Sequence, residues 1–167
     1  MIGIDTITWQ KLIRLRRTKW KLIIQEMIME MNFFIMTEGK KEFEHRFSED
    51  LDVLDEITIL SLLKGPDYIK FLQAGLDSND ASLLEYAIQK KYRIVTEDYP
   101  MLAQGVSDQQ NIVQLVDFCK ELLVKDNYFS LREFRQLVKE FRKWKNITKK
   151  KENKLKVYLR ERGFNDL

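Results

Sequence analysis

The chain has one cysteine, Cys119, one histidine, His45, and no apolar run approaching the length of a membrane span. A single thiol excludes an internal disulfide framework and a cysteine-rich zinc site within one chain, and it suits a reducing, cytoplasmic setting. His45, beside Glu44 in "FEHRF", reads as a surface or packing residue and not as a metal ligand, and Cys119 in "LVDFCKELL" reads as core. The most apolar stretches, such as "MNFFIM" and "LDVLDEITILSLL", fall well short of the roughly 20 residues that cross a bilayer. The start, "MIGIDTITWQ", lacks the basic then apolar order of a signal peptide. A soluble intracellular protein without a membrane partner is expected.

What is present is a globular composition. Of 167 residues, 33% are charged and 44% apolar, enough to bury one core and too apolar for a disordered tail. The net charge of +3 conceals a segregation: residues 1–119 hold 14 basic against 19 acidic side chains, and residues 120–167 hold 15 against 7. A basic C-terminal part implies contact with a polyanion, although a Lys-rich helical pair also serves as a solvated face.

Five short runs rich in β-branched residues read as strands: residues 2–5, 33–36, 57–62, 93–96 and 111–115. They are continuous and not alternating, as strands covered on both faces must be. Helical spacing fills the gaps. The first helical run, Trp9 to Met31, has an interruption around Arg16 to Thr18; Thr37 is placed to cap a helix through Phe47, Pro66 to open one through Ala74, and Ser78 or Asn79 to cap the next. The Met-rich "EMIMEMNFFIM" fills between helix and sheet. This alternation predicts an α/β fold, a three-layer α/β/α sandwich around a parallel sheet of four to five strands, over residues 1–124. Residues 125–167 are expected to form a basic helical extension packed on it, with a capping box at Ser130 and Glu133 and a second helix from about Lys149 to Arg162.

Acids stand at the ends of strands. Asp5 closes the first in "IGIDTITW" and Asp98 follows the fourth in "VTEDY", so a parallel sheet puts both on its carboxyl edge. Two carboxylates together at such an edge repel and protonate unless a divalent cation neutralises them. Glu42 and Asp80, at helix starts that face the same edge, are the candidates for further oxygens. Each acid also has a plain reading: Asp5 as a strand-end cap, Asp98 as a helix N-cap, and Glu42 and Asp80 as ordinary helix-start acids.

The set "IGIDTITW", "TEGKKEFEHR", "SNDASLLEYAIQKKYRIVTEDYPMLAQG" and "NIVQLVD" resembles the PIN domain, a nuclease fold of prokaryotic toxins and RNA-processing endonucleases. The resemblance covers roughly residues 1–124 and implies the acids Asp5, Glu42, Asp80 and Asp98, with Thr96, and Thr6 beside Asp5, supporting a site for Mg2+ or Mn2+ held by Asp5, Asp80 and Asp98. Lys40 stands where relatives carry an apolar residue, so Glu38 and Glu44 remain alternatives to Glu42, as Asp77 does to Asp80. The activity implied is metal-dependent hydrolysis of RNA phosphodiester bonds, leaving 5'-phosphate and 3'-hydroxyl ends, in a toxin or a processing enzyme. The alternative is a catalytically inactive PIN fold serving as an RNA-binding or protein-assembly module. An antitoxin protein and a second copy of the chain are further partners that such a resemblance implies.

For RNA, Lys11, Arg14, Arg17 and Lys21 recur along the first helix, and Arg132, Arg135, Lys139, Arg142, Lys143, Lys149, Lys150 and Lys151 along the extension. Such residues grip backbone phosphates without reading sequence. Tyr128, Phe129 and Trp144 are candidates for stacking on bases, Trp144 also suiting a core place on its helix's apolar stripe.

Overall fold

The structure is a computed structural model and describes residues 1–104, 111–125, 128–144 and 147–163. Five strands form one sheet: β1 (Ile2–Ile4), β2 (Phe33–Met36), β3 (Thr58–Leu60), β4 (Arg93–Val95) and β5 (Ile112–Val113). Their order is β3-β2-β1-β4-β5, and every neighbouring pair is parallel. Helices flank the sheet, so the fold is the α/β sandwich that the continuous apolar strands require.

Two helices, α1 (Thr6–Arg16) and α2 (Lys21–Glu30), join β1 to β2, and α3 (Thr37–Arg46) leads by way of a 3-10 turn at Leu51–Glu56 to β3. The chain then returns past β1 through α4 (Tyr68–Gln73) and α5 (Ser78–Lys90) to β4, and α6 (Tyr99–Gln104) connects to β5. Because parallel crossovers are right-handed, this reversal sends α4 and α5 to the face opposite α1 to α3. Strand β2 shows both faces at work. Phe33 meets Trp9 of α1 edge-on at 5.9 Å, and Trp9 meets Phe43 of α3 at 5.6 Å. Phe34 and Met36, one residue out of phase, join Phe71, Leu83, Leu84 and Ala87 of α4 and α5 in the other core layer. Gly3 in β1 permits this closeness, since a Cβ there would stand 2.7 Å from both Phe34 and Ile94.

The helix boundaries differ from several sequence expectations, each for a local reason. Thr37 does not cap α3; it is the first helical residue, and its hydroxyl donates to the Leu60 carbonyl at 3.1 Å, fastening the helix start to β3. Pro66 precedes α4, whose N-cap is Asp67. Asp77, and neither Ser78 nor Asn79, caps α5: its carboxylate accepts from the Asp80 N–H at 2.9 Å. The long first helical run does break where an interruption was expected, at residues 17–20: the Thr18 hydroxyl donates to the Leu15 carbonyl at 2.7 Å and buried Trp20 precedes the next helix.

Two compact units are described separately, Met1–Leu115 and Val116–Leu167. The second contains most of α7 (Leu115–Lys125), then α8 (Leu131–Lys143) and α9 (Lys149–Arg160). Ser130 and Glu133 form the capping box, and the two hydrogen bonds from Ser130 hold the Glu133 carboxyl below its ordinary range. Helix α8 packs against α9, with Phe134 edge-on to Tyr158 at 6.2 Å. Cys119 is fully buried. Among the described residues no helix is long and apolar enough to cross a membrane.

Candidate functional site: the carboxyl edge between β1 and β4

Strands β1 and β4 lie side by side with Ile4 opposite Val95, while their following helices leave in opposite directions along the sheet. That divergence opens a crevice at the carboxyl edge, where open α/β sheets bind ligands. Asp5 and Thr96 are the first residues past the paired strands, so the register alone sets them next to each other.

Asp5 is 3% exposed and its carboxylate is tightly held. One oxygen caps α1 by accepting from the Thr8 N–H at 2.6 Å; the other accepts from the Thr96 hydroxyl and from the Glu97 N–H at 3.2 Å. Asp5 thus does more than end a strand: it is the N-cap of α1. Three hydrogen bonds still leave one of its roughly four lone-pair positions. The Thr96 oxygen in turn accepts from the Asp98 N–H at 2.9 Å, so Thr96 links the two strand-end acids. Asp98 immediately precedes the short α6, and the backbone N–H groups of Met101 and Tyr99 favour its charged form.

Glu42 and Asp80 reach this edge from helices that run away from it. Glu42 accepts from the Thr6 hydroxyl at 2.6 Å and pairs with Arg46 at 2.8 Å. Glu38 is exposed, and Glu44 pairs instead with Lys40 at 3.5 Å. Buried Gly39 of α3 lies against Asn79 of α5, a Cβ at Gly39 being 3.5 Å from the Asn79 amide, and this close approach brings the starts of the two helices together. Asn79 is a contributor that sequence reasoning missed as anything but a cap; its carbonyl oxygen is buried without a partner. The Gly39 to Asn79 contact spans 40 residues and has no local signal.

Negative charge is concentrated here, with Arg46 on Glu42 as a counter-charge. Burial, and then the neighbouring Asp77, Asp5, Asp98 and Glu42, push the Asp80 carboxyl up from 3.8 to about 7. Burial, and then Asp5 above all, raise Asp98 as well, against the lowering effect of its backbone hydrogen bonds. Among the described residues no Lys or Arg forms an ion pair with Asp5, Asp80 or Asp98, whereas Glu42 is paired with Arg46. Among those residues, too, no three acid, histidine or cysteine side chains stand close enough to form a ready-made coordination sphere. All the donors are hard oxygens, and three of the four carboxylates form no ion pair with Lys or Arg among the described residues. That set fits an ion of the magnesium type, which takes one or two carboxylates directly and completes its shell with water.

The acid in the middle of "TEDY" has a different task. Glu97 pairs with Lys11 of α1 at 2.6 Å, both side chains largely buried, and also accepts from the Leu115 N–H at 2.9 Å. Lys11, expected on an RNA-binding row, thus spends its charge inside the fold. Arg17 is exposed yet also paired: its guanidinium meets Asp50 at 2.5 Å and Glu49 at 3.2 Å, beside Arg16 on Asp50 at 2.8 Å. Arg14 and Lys21 are exposed, and Lys21 borders a cavity of about 440 Å3 lined also by Arg16, Arg17, Thr18, Glu49 and Asp50. Arg142 pairs with Glu152 at 3.4 Å and Lys143 with Glu140 at 2.9 Å, whereas Arg135 and Lys139 are half-buried on α8. Phe129 is 2% exposed and has no face to offer a base; Trp144 lies edge-on to Phe141 at 5.8 Å.

No protein family and no curated protein matches the chain. A solved structure, the crystal structure of PAE2754 from Pyrobaculum aerophilum, is similar to it, with a TM-score of 0.52 and 16% sequence identity, covering 74% of this chain and 90% of that one. The likeness is one of fold. It places the sandwich among known architectures and leaves the chemistry of the edge to be argued from its own residues.

Proposed function

We propose that the protein is a metal-dependent endoribonuclease of the PIN type, hydrolysing RNA phosphodiester bonds at the carboxyl edge between β1 and β4. The observation that carries this reading is the gathering of Asp5, Asp80 and Asp98, which form no ion pair with Lys or Arg among the described residues, with Glu42 beside them; burial first, and then the neighbouring acids, lift Asp80 to about 7. Asp5, Asp80 and Asp98 would hold Mg2+ or Mn2+. A bound divalent ion supplies Lewis acidity to a phosphoryl oxygen and a water acidic enough to attack near neutral pH.

The chain's own residues position and protect. Thr8, Thr96 and the Glu97 N–H fix Asp5 in one orientation. Thr96 carries that order to Asp98 through a second hydrogen bond, and Thr6 orients Glu42. Such fixed carboxylates hold reacting groups without reorganising during the reaction. The one histidine, exposed in the last turn of α3, has no part in this arrangement.

Cleavage of a mixed single-stranded RNA pool tests the reading. The native chain with manganese or magnesium should cut it, excess EDTA should stop the reaction, and Asp98→Asn should lower the rate by at least 100-fold. Cutting that survives both chelation and the substitution refutes it. The separation of the acids favours a second reading, a catalytically inactive PIN fold that binds RNA or a protein partner; its mark would be RNA binding with no metal-dependent cutting.

A further inference from the structure

We propose that the outward face of α9 is a docking surface for the phosphate backbone of an RNA strand. The proposal rests on the reading of the acidic edge as a site that acts on RNA, and it assigns the contact to residues that the pairing pattern of α8 and α9 singles out.

Helix α9 buries Leu155 and Leu159 and turns the opposite side outward. Lys149, Lys150, Asn153, Lys154, Val157, Arg160 and Glu161 are all exposed. At 100° per residue these positions fall within roughly 140° of the helix circumference, and Lys150 to Arg160 spans about 15 Å of its length. Four of the seven are cationic.

Among the described residues, several acids near the row have other partners, although Glu152 also feels the charge of Lys149. Glu152 pairs with Lys156 at 2.8 Å and with Arg142 at 3.4 Å, Glu140 with Lys143 at 2.9 Å, Asp117 with Lys151, and Glu133 closes the capping box. Glu161, the one acid on the row, lies 3.8 Å from Arg162. Among the described residues Lys150, Lys154 and Arg160 form no ion pair. Arg142, Lys143 and Lys151, though equally basic in sequence, are thereby set apart from the row, while Lys154 and Arg160 are added to it.

A line of cations on a polar helix face, three of them without an ion pair among the described residues, suits an extended polyanion. Val157 is the row's one apolar residue, so the face lacks the broad apolar side with which an amphipathic helix enters a bilayer. The other residues of the row are polar or charged, not the aromatic and apolar anchors of a protein interface. Cations of this kind bind phosphates by charge and counterion release, without reading bases.

The test is fluorescence anisotropy of a labelled 20-nucleotide single-stranded RNA with the full chain in EDTA, so that cleavage does not enter. The native chain should bind with a log-log salt slope near −2.8, about −0.7 for each of four phosphate contacts. Lys150→Gln with Lys154→Gln should weaken binding at least tenfold at low salt and reduce the slope by about 1.4. Both side chains are exposed and glutamine is a comparable helix former, so circular dichroism should be unchanged. A control with the same loss of charge, Lys64→Gln with Lys90→Gln, should leave affinity within about twofold. Equal losses in both variants overturn the proposal, as does displacement of the RNA by polyglutamate or by vesicles containing 30% phosphatidylserine as readily as by unlabelled RNA. Binding that follows this pattern in a chain that never cuts RNA upholds the surface and refutes the hydrolase.

Discussion

Replacing Asp80 by asparagine removes the carboxyl that the folded chain tolerates least. At 1.36 kcal/mol for each pH unit, the rise from 3.8 to about 7 corresponds to about 4 kcal/mol of penalty on the ionised form. Partial solvent access and relaxation reduce the expected effect to about 2 kcal/mol. The sign follows from proton counts. Between the unfolded value near 4 and the folded value near 7, the folded state binds the Asp80 proton more than the unfolded state does, so the native chain loses this stability as pH rises through that window. Asp80→Asn has no such proton to lose. In urea unfolding with EDTA present, native chain and variant should differ little near pH 4, and at pH 8 the variant should be the more stable by about 2 kcal/mol. Manganese should reverse the order. Ligand at 100 times its Kd stabilises a folded protein by about 2.7 kcal/mol, and the variant, short of one carboxylate, should gain less. A stability difference equal at both pH values, or a variant less stable at pH 8 without metal, would refute the picture of acids gathered at this edge.

Thr96→Val keeps the shape of the side chain and removes a hydroxyl that serves both Asp5 and the Asp98 N–H; it should cost about 2 kcal/mol in thermal or urea unfolding and slow RNA cutting more than tenfold, while Thr96→Ser should retain both. Lys11→Met strands the buried Glu97 carboxylate and should destabilise by about 3 kcal/mol, with part recovered in Lys11→Met combined with Glu97→Gln. If Lys11 instead served RNA, Lys11→Met would leave the urea midpoint unchanged and flatten the salt dependence of binding.

The strand-end acids were legible because the signals that place them are local. "IGID" and "RIVTED" each mark a short buried strand and name the residue that follows it, and alternation with helical spacing makes the sheet parallel, so both acids fall on one edge. Capping proved less legible. Asp77, Ser78, Asn79 and Asp80 are all good cap residues, and only the backbone conformation of Asp77 decides among them.

Charge pairing was the least legible of all. Lys11 and Glu97 are 86 residues apart, Arg17 and Asp50 33 apart, and nothing in either neighbourhood announces the partner. In a sequence row, Lys11, Arg17, Arg142 and Lys154 are equivalent cations; folding commits the first three to acids and leaves Lys154 to solvent. By itself the sequence determined the strands, their parallel order of connection and the residue that ends each one, because periodicity and strand termini are properties of consecutive residues. Tertiary structure alone decided which acids lack a counter-charge and which bases remain unspent, because that depends on through-space electrostatics between segments that meet only in the folded chain.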